Sequence, residues 1–197
     1  METRLTEFRT FLIALFIALI LILMTTVIEK CHADDFYRTF SGVGVYGGEQ
    51  WQSSSNPIHH TSAYNWQEFQ IRPIYGKHMD NRWDLWLEGN LGYIKWKDHP
   101  GAVKLGVSVM TSYDVIKYKQ YGLFGEFGLG FGWASYTPST NILRNNVLGL
   151  IDVGMGVKTI MKNGFILKVG PHFQHSSAVL AHDTGINTFG IMVSIIR

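Results

Sequence analysis

From residue 36 onward the chain alternates. Apolar side chains take one set of alternate positions, and charged, amide or glycine residues take the other. Segments with this period of two recur eight times, at about 36–47, 65–76, 82–94, 102–113, 120–133, 147–158, 164–177 and 186–197. A period of two places successive side chains on opposite faces of an extended strand. In the fifth segment Tyr121, Leu123, Phe127, Leu129, Phe131 and Trp133 share one face, against Gly122, Phe124, Glu126, Gly128, Gly130 and Gly132. In the third, Trp83, Leu85, Leu87, Leu91 and Tyr93 oppose Asp84, Trp86, Glu88 and Asn90. Each segment matches the ~9–11 residues of a tilted strand that crosses a bilayer.

The polar face is too narrow and too rich in glycine to be a solvated outer surface. It fits the crowded interior of a small closed barrel, with the apolar face turned to lipid. Glu68, Arg72, Glu88, Lys104, Glu126, Asp152 and Lys168 then form an internal charge network, because charges removed from water need partners. The connections alternate long and short, at 48–64, 77–81, 95–101, 114–119, 134–146, 159–163 and 178–185. Outer-membrane barrels have short periplasmic turns and longer external loops. Met79-Asp80-Asn81 and Lys162-Asn163-Gly164 supply turn chemistry to two of the short connections. The expected fold is all-β: an eight-stranded antiparallel transmembrane (outer-membrane) β-barrel over residues 34–197, preceded by a signal peptide.

That leader is residues 1–33. Arg4 and Arg9 precede an apolar run of 18 residues from Phe11 to Ile28, then Cys31-His32-Ala33 and Asp34-Asp35, which suggests cleavage after Ala33. The run also approaches the length of an uncleaved membrane anchor, the competing reading. Cys31 is the one cysteine of the chain, so cleavage leaves no disulfide, thiol nucleophile or Cys-based metal site. With 17 basic and 15 acidic residues, no strongly basic face points to nucleic acid. His59-His60 and His182-Asp183 read as loop residues, and no metal or cofactor is expected.

Polar residues on the lipid-facing side need an explanation. The outward run of segment seven reads Phe165, Leu167, Val169, Pro171, Phe173 and then His175 and Ser177; segment eight opens on that face with Asn187. Same-face neighbours on a strand lie roughly 7 Å apart at the backbone. An imidazole can therefore reach a serine hydroxyl and remove its proton. A hairpin centred near Ala181 sets Asn187 opposite His175. A bulge at Pro171 would turn this patch inward.

The stretch Gly170-Pro171-His172-Phe173-Gln174-His175-Ser176-Ser177-Ala178, with Asp183-Thr184-Gly185-Ile186-Asn187, resembles the C-terminal signature of the lipid A 3-O-deacylase family (PagL type). The specific match covers about the last 28 residues. The resemblance implies an outer-membrane esterase that removes an ester-linked acyl chain from lipid A in the outer leaflet. Ser177 takes the place of the nucleophile and His175 that of the general base. The family's Glu falls on Asn187, which can orient the imidazole; Asp183 is the alternative orienter. Backbone N–H groups at Ala178 and Val179 would form the oxyanion hole. Lys95, Lys97 and Arg144 are candidate contacts to lipid A phosphates, with ordinary loop solubility the favoured reading. Two other functions stay open: a non-catalytic structural or adhesion barrel, and a lipid A acyltransferase. A second copy of the chain is a further candidate partner.

Overall fold

The computed structural model describes residues 39–50, 67–95, 101–135, 146–178 and 185–197. The leader, Asp183, Lys97, Arg144, Val179, His59, His60 and His182 lie outside the described residues. Eight strands follow in chain order: β1 (Thr39–Gln50), β2 (Gln67–His78), β3 (Trp83–Lys95), β4 (Ala102–Tyr118), β5 (Tyr121–Ala134), β6 (Val147–Ile160), β7 (Ile166–Ala178) and β8 (Ile186–Ile196). Each pairs antiparallel with its neighbour, and β1 closes on β8, so no sheet edge is left open.

The alternation sets the facing. Phe69, Ile71, Leu91, Val107, Phe127, Val153, Phe189 and Ile191 stand on the outer wall and are exposed. Tyr75, Trp83, Tyr118 and Tyr121 mark one end of that wall, and Tyr93 and Trp133 the other, as interfacial aromatic girdles do. An apolar wall exposed all the way round is the surface of a barrel solvated by lipid.

The interior holds the expected ions. Arg72 is fully buried; its Nη1 donates to Glu88 Oε1 at 2.8 Å and to Asp152 Oδ1 at 3.2 Å, and its Nε to Gln70 Oε1 at 2.6 Å. Lys104 pairs with Glu68 at 2.6 Å, and Lys168 with Glu126 at 3.2 Å. Each of these cations meets a carboxylate on a strand other than its own, which is what makes such burial tolerable.

The structure adds two things that the alternation does not reveal. The polar interior is plugged at both ends by apolar side chains: Phe40, Ile74, Trp86, Met110 and Ile196 at the short-turn end, and Ile94, Ala102, Ala134, Leu148, Leu150 and Ile186 at the long-loop end. Also, the expected connection at 114–119 is mostly strand. β4 continues to Tyr118, which pairs with Tyr121 across a two-residue turn, with Lys119 at φ 51°. A β-bulge between Asp114 and Ile116 leaves Val115 without a register partner and takes up the extra residue.

The other short turns form as their residues suggest. Asp80 Oδ1 accepts from the backbone N–H groups of Arg82 at 2.6 Å and Trp83 at 2.7 Å. Gly164 takes φ 83°, a left-handed conformation that glycine adopts without strain.

Candidate active site

The outward polar patch depends on the register of β7. That register is continuous: every β7–β8 pair from Ile166↔Ile196 to Ser176↔Ile186 follows one alignment, and Pro171 sits opposite Ile191 with no bulge. Pro171, Phe173, His175 and Ser177 therefore stay on the outer side, while His172, Gln174 and Ser176 point inward and are buried. The same alignment pairs His175 with Asn187.

This pair is bonded through its side chains: His175 Nδ1 lies 2.7 Å from Asn187 Oδ1. A carboxamide oxygen only accepts, so the proton of this bond sits on Nδ1, and in the neutral ring the lone pair is then on Nε2. Gly185 decides where that lone pair lies. An ideal Cβ at Gly185 would meet His175 Cε1 at 2.5 Å and Nε2 at 2.9 Å, so the Nε2 edge of the ring rests against a residue with no side chain. Gly185 also takes φ 65°, again the left-handed region.

Ser177 comes two residues after His175 on the same face, at the loop end of β7, and is half-buried. Its β6 partner is Gly149. The β7–β8 ladder ends one residue earlier, at Ser176↔Ile186. The serine thus has on its β6 side a neighbour with no Cβ. Among the described residues its hydroxyl makes no hydrogen bond to His175, whose ring is bonded to Asn187. Catalytic serine–histidine contacts are often long without substrate.

The strand is held from the inside. Lys104 Nζ donates to Gln174 Oε1 at 2.5 Å and to Ser176 Oγ at 3.1 Å, so the residues flanking His175 are tied to the buried network. Ala178 stays in the ladder opposite Leu148, and Lys95 is an exposed residue at the end of β3. Sequence reasoning brought His175, Ser177 and Asn187 to one patch and placed Gly185 in the matching stretch, but missed Gly149. The glycine two residues before Asn187 was visible, and its contact with the ring was not.

Gly185→Ala is expected to push the imidazole off Asn187 while the barrel stays folded. The check is the His175 Nδ1–H resonance in ¹⁵N-edited spectra of the folded protein: slowed exchange of that proton in the parent and its loss in the variant. An unchanged resonance would show that the ring does not depend on this glycine.

No protein-family model matches the chain, and no curated protein sequence matches it significantly. Solved structures share its fold. The crystal structure of the outer membrane enzyme PagL aligns with a TM-score of 0.55 at 17% identity, over 77% of this chain and 97% of that one. The crystal structure of Neisserial surface protein A (NspA) aligns with a TM-score of 0.55 at 13% identity, over 81% of this chain and 95% of that one. At these identities the likeness establishes the outer-membrane barrel fold.

Proposed function

We propose that this barrel is a bacterial outer-membrane esterase that hydrolyses the acyl chain ester-linked at the 3-O position of lipid A. The observation that carries this reading is the 2.7 Å His175–Asn187 hydrogen bond on the outer wall, with Nε2 beside Gly185 and Ser177 next along the strand. An ester hydrolase needs a nucleophile and a base. It also has to meet a substrate whose chains lie in the membrane, and an outward-facing site at the long-loop rim does so without a channel. The resemblance of the 170–187 stretch to the lipid A 3-O-deacylases, and a fold shared with an enzyme of the outer membrane, support the same reading.

In this mechanism His175 Nε2 removes the proton of Ser177 Oγ as the oxygen attacks the ester carbonyl. The tetrahedral intermediate collapses, His175 returns the proton to the departing 3-hydroxyl of the sugar, and the acyl group stays on Ser177. Water, deprotonated by His175, then attacks the acyl-enzyme; as the fatty acid leaves, His175 returns that proton to Ser177 Oγ. Asn187 holds the ring in the tautomer that both steps need. Asp183 is the alternative orienter.

The test is lipid A from cells expressing the parent, Ser177→Ala or His175→Ala, read by mass spectrometry. The parent is expected to yield lipid A lacking one ester-linked chain together with free fatty acid. Each variant is expected to lose at least ~10³-fold in rate. Unchanged lipid A with correctly inserted parent sinks the proposal; the chain reappearing on another acceptor identifies a transferase instead.

A non-catalytic barrel is the second reading, favoured by one observation. The group that holds the imidazole is an amide and carries no charge.

A further inference from the structure

Beyond the bulge at Asp114–Ile116, the end of β4 realigns so that Ile116 pairs with Leu123 and Tyr118 with Tyr121 on the outer wall. Between this hairpin and β7 the wall is hollowed into a groove of about 340 Å³, lined by Tyr118, Tyr121, Leu123, Val157, Leu167 and Val169 among others. That volume falls within the ~300–1,000 Å³ of ligand-sized clefts. The groove lies at the short-turn end, and the His175–Ser177 patch at the opposite end of β7, so it is not part of that site.

The groove's rim is cationic. Lys119 sits in the β4–β5 turn, with its Nζ 5.4 Å from the Tyr118 ring centroid. Lys162 sits in the β6–β7 turn, exposed and without an ion pair among the described residues. The two turns adjoin, since Ile160 N–H donates to the Gln120 carbonyl at 2.7 Å. Lys158 also lines the groove, but its ammonium is committed to the buried Asp114. Lys117 donates to the Asn81 carbonyl at 3.2 Å. Around this end Lys77, Arg82, Lys117, Lys119, Lys162 and Arg197 reach the surface. Asp80 is the one exposed acidic side chain among the described residues there, and its Oδ1 caps the turn.

We propose that the groove binds one acyl chain of an anionic phospholipid from the leaflet at the short-turn end, with the headgroup phosphate between Lys119 and Lys162. An apolar trough continuous with the lipid-facing wall suits an acyl chain, and a two-lysine mouth whose own turns, 119–120 and 161–164, carry no Asp or Glu suits a phosphodiester. A zwitterionic headgroup brings its own cation to that mouth and loses the advantage.

The probe is phosphatidylglycerol against phosphatidylcholine of the same chains, offered in equal amounts to the folded full-length barrel in mild detergent and read by native mass spectrometry. One phosphatidylglycerol is expected to stay bound in at least about fivefold excess over phosphatidylcholine. The double variant Lys119→Glu/Lys162→Glu is expected to abolish the preference, and Lys77→Glu, on the far side of the same rim, to keep it. Leu167→Trp, which fills the groove, is expected to lower retention of both lipids. Each variant is compared in its folded form, recognised by heat-sensitive mobility in SDS gels.

Equal retention of the two lipids overturns the proposal. So does a preference that survives the double reversal, an equal loss with Lys77→Glu, or retention indifferent to Leu167→Trp. A lipid-free dimer that Leu167→Trp dissociates would overturn it in favour of a second copy of the chain.

Discussion

Arg72→Met is expected to cost the barrel about 3–5 kcal/mol, the penalty for leaving buried charge without its partner. Arg72 lies at the centre of the interior network, with no exposed surface. It serves two carboxylates at once, Glu88 at 2.8 Å and Asp152 at 3.2 Å, and its guanidinium lies 4.8 Å from the centroid of the Tyr46 ring. No other cation can replace it cheaply. Lys104 is held by Glu68, Gln174 and Ser176, and Lys168 by Glu126 and Ser112, so moving either strips another ion of its partner. Asp152 keeps support from His172 Nε2 at 2.9 Å and Gln174 Nε2 at 2.8 Å; Glu88 keeps only the indole N–H of Trp86 at 3.1 Å among its described hydrogen bonds. Most of the cost therefore falls on Glu88. The measurement is the urea midpoint of the refolded barrel in lipid vesicles. Arg72→Met/Glu88→Gln is expected to recover at least half of the loss, because it removes the stranded charge along with its partner. A double variant no more stable than Arg72→Met would show that the two residues are not coupled.

The same arithmetic explains which parts of the fold can be read from the chain. Strands with a clean period of two reveal themselves, and so do the seven interior ions, because a charge on an otherwise glycine-rich face has nowhere else to go. The end of β4 does not. Val115-Ile116-Lys117-Tyr118 breaks the alternation, and the bulge that restores it depends on the pairing with β5. The apolar plugs are hidden for a different reason. Trp86, Met110, Ile74 and Leu150 lie on the same alternate positions as the ions, and only height along the barrel separates them. In the candidate site, strand pairing was enough to set Asn187 opposite His175, since a hairpin centred at Ala181 fixes that partner. Gly185 needed coordinates: neither its φ of 65° nor the imidazole against it has a signature in the chain.

Asn187→Asp is expected to raise the rate of lipid A deacylation by about 10²–10⁴-fold, because a carboxylate supplies what the amide lacks. When His175 takes the proton of Ser177, the ring becomes an imidazolium, and the transition state carries much of that charge. Asn187 Oδ1, 2.7 Å from Nδ1, fixes the tautomer but offers only a dipole. In Ser-His-Asp triads, replacing the acid by its amide costs ~10⁴-fold in kcat, most of it through the wrong tautomer. Here the tautomer is already right, so the gain comes from charge alone and lies toward the lower end of that range. Asp is the better test than Glu because it keeps the side-chain length, and with it the bonded geometry. The position also tolerates a charge: Asn187 is half-buried at the loop end of the wall, where an outward carboxylate costs less than at the bilayer midplane. The effect should appear in kcat with KM little changed, since a group that acts only on the developing charge does not bind the ground state. Combination with Ser177→Ala should erase the gain. A silent parent whose Asn187→Asp form is active, with that activity lost in Ser177→Ala, would identify an enzyme disabled by loss of its acid. If parent and Asn187→Asp are both silent on lipid A, the Ser177–His175 patch is not a hydrolytic site, and the barrel serves through its loops.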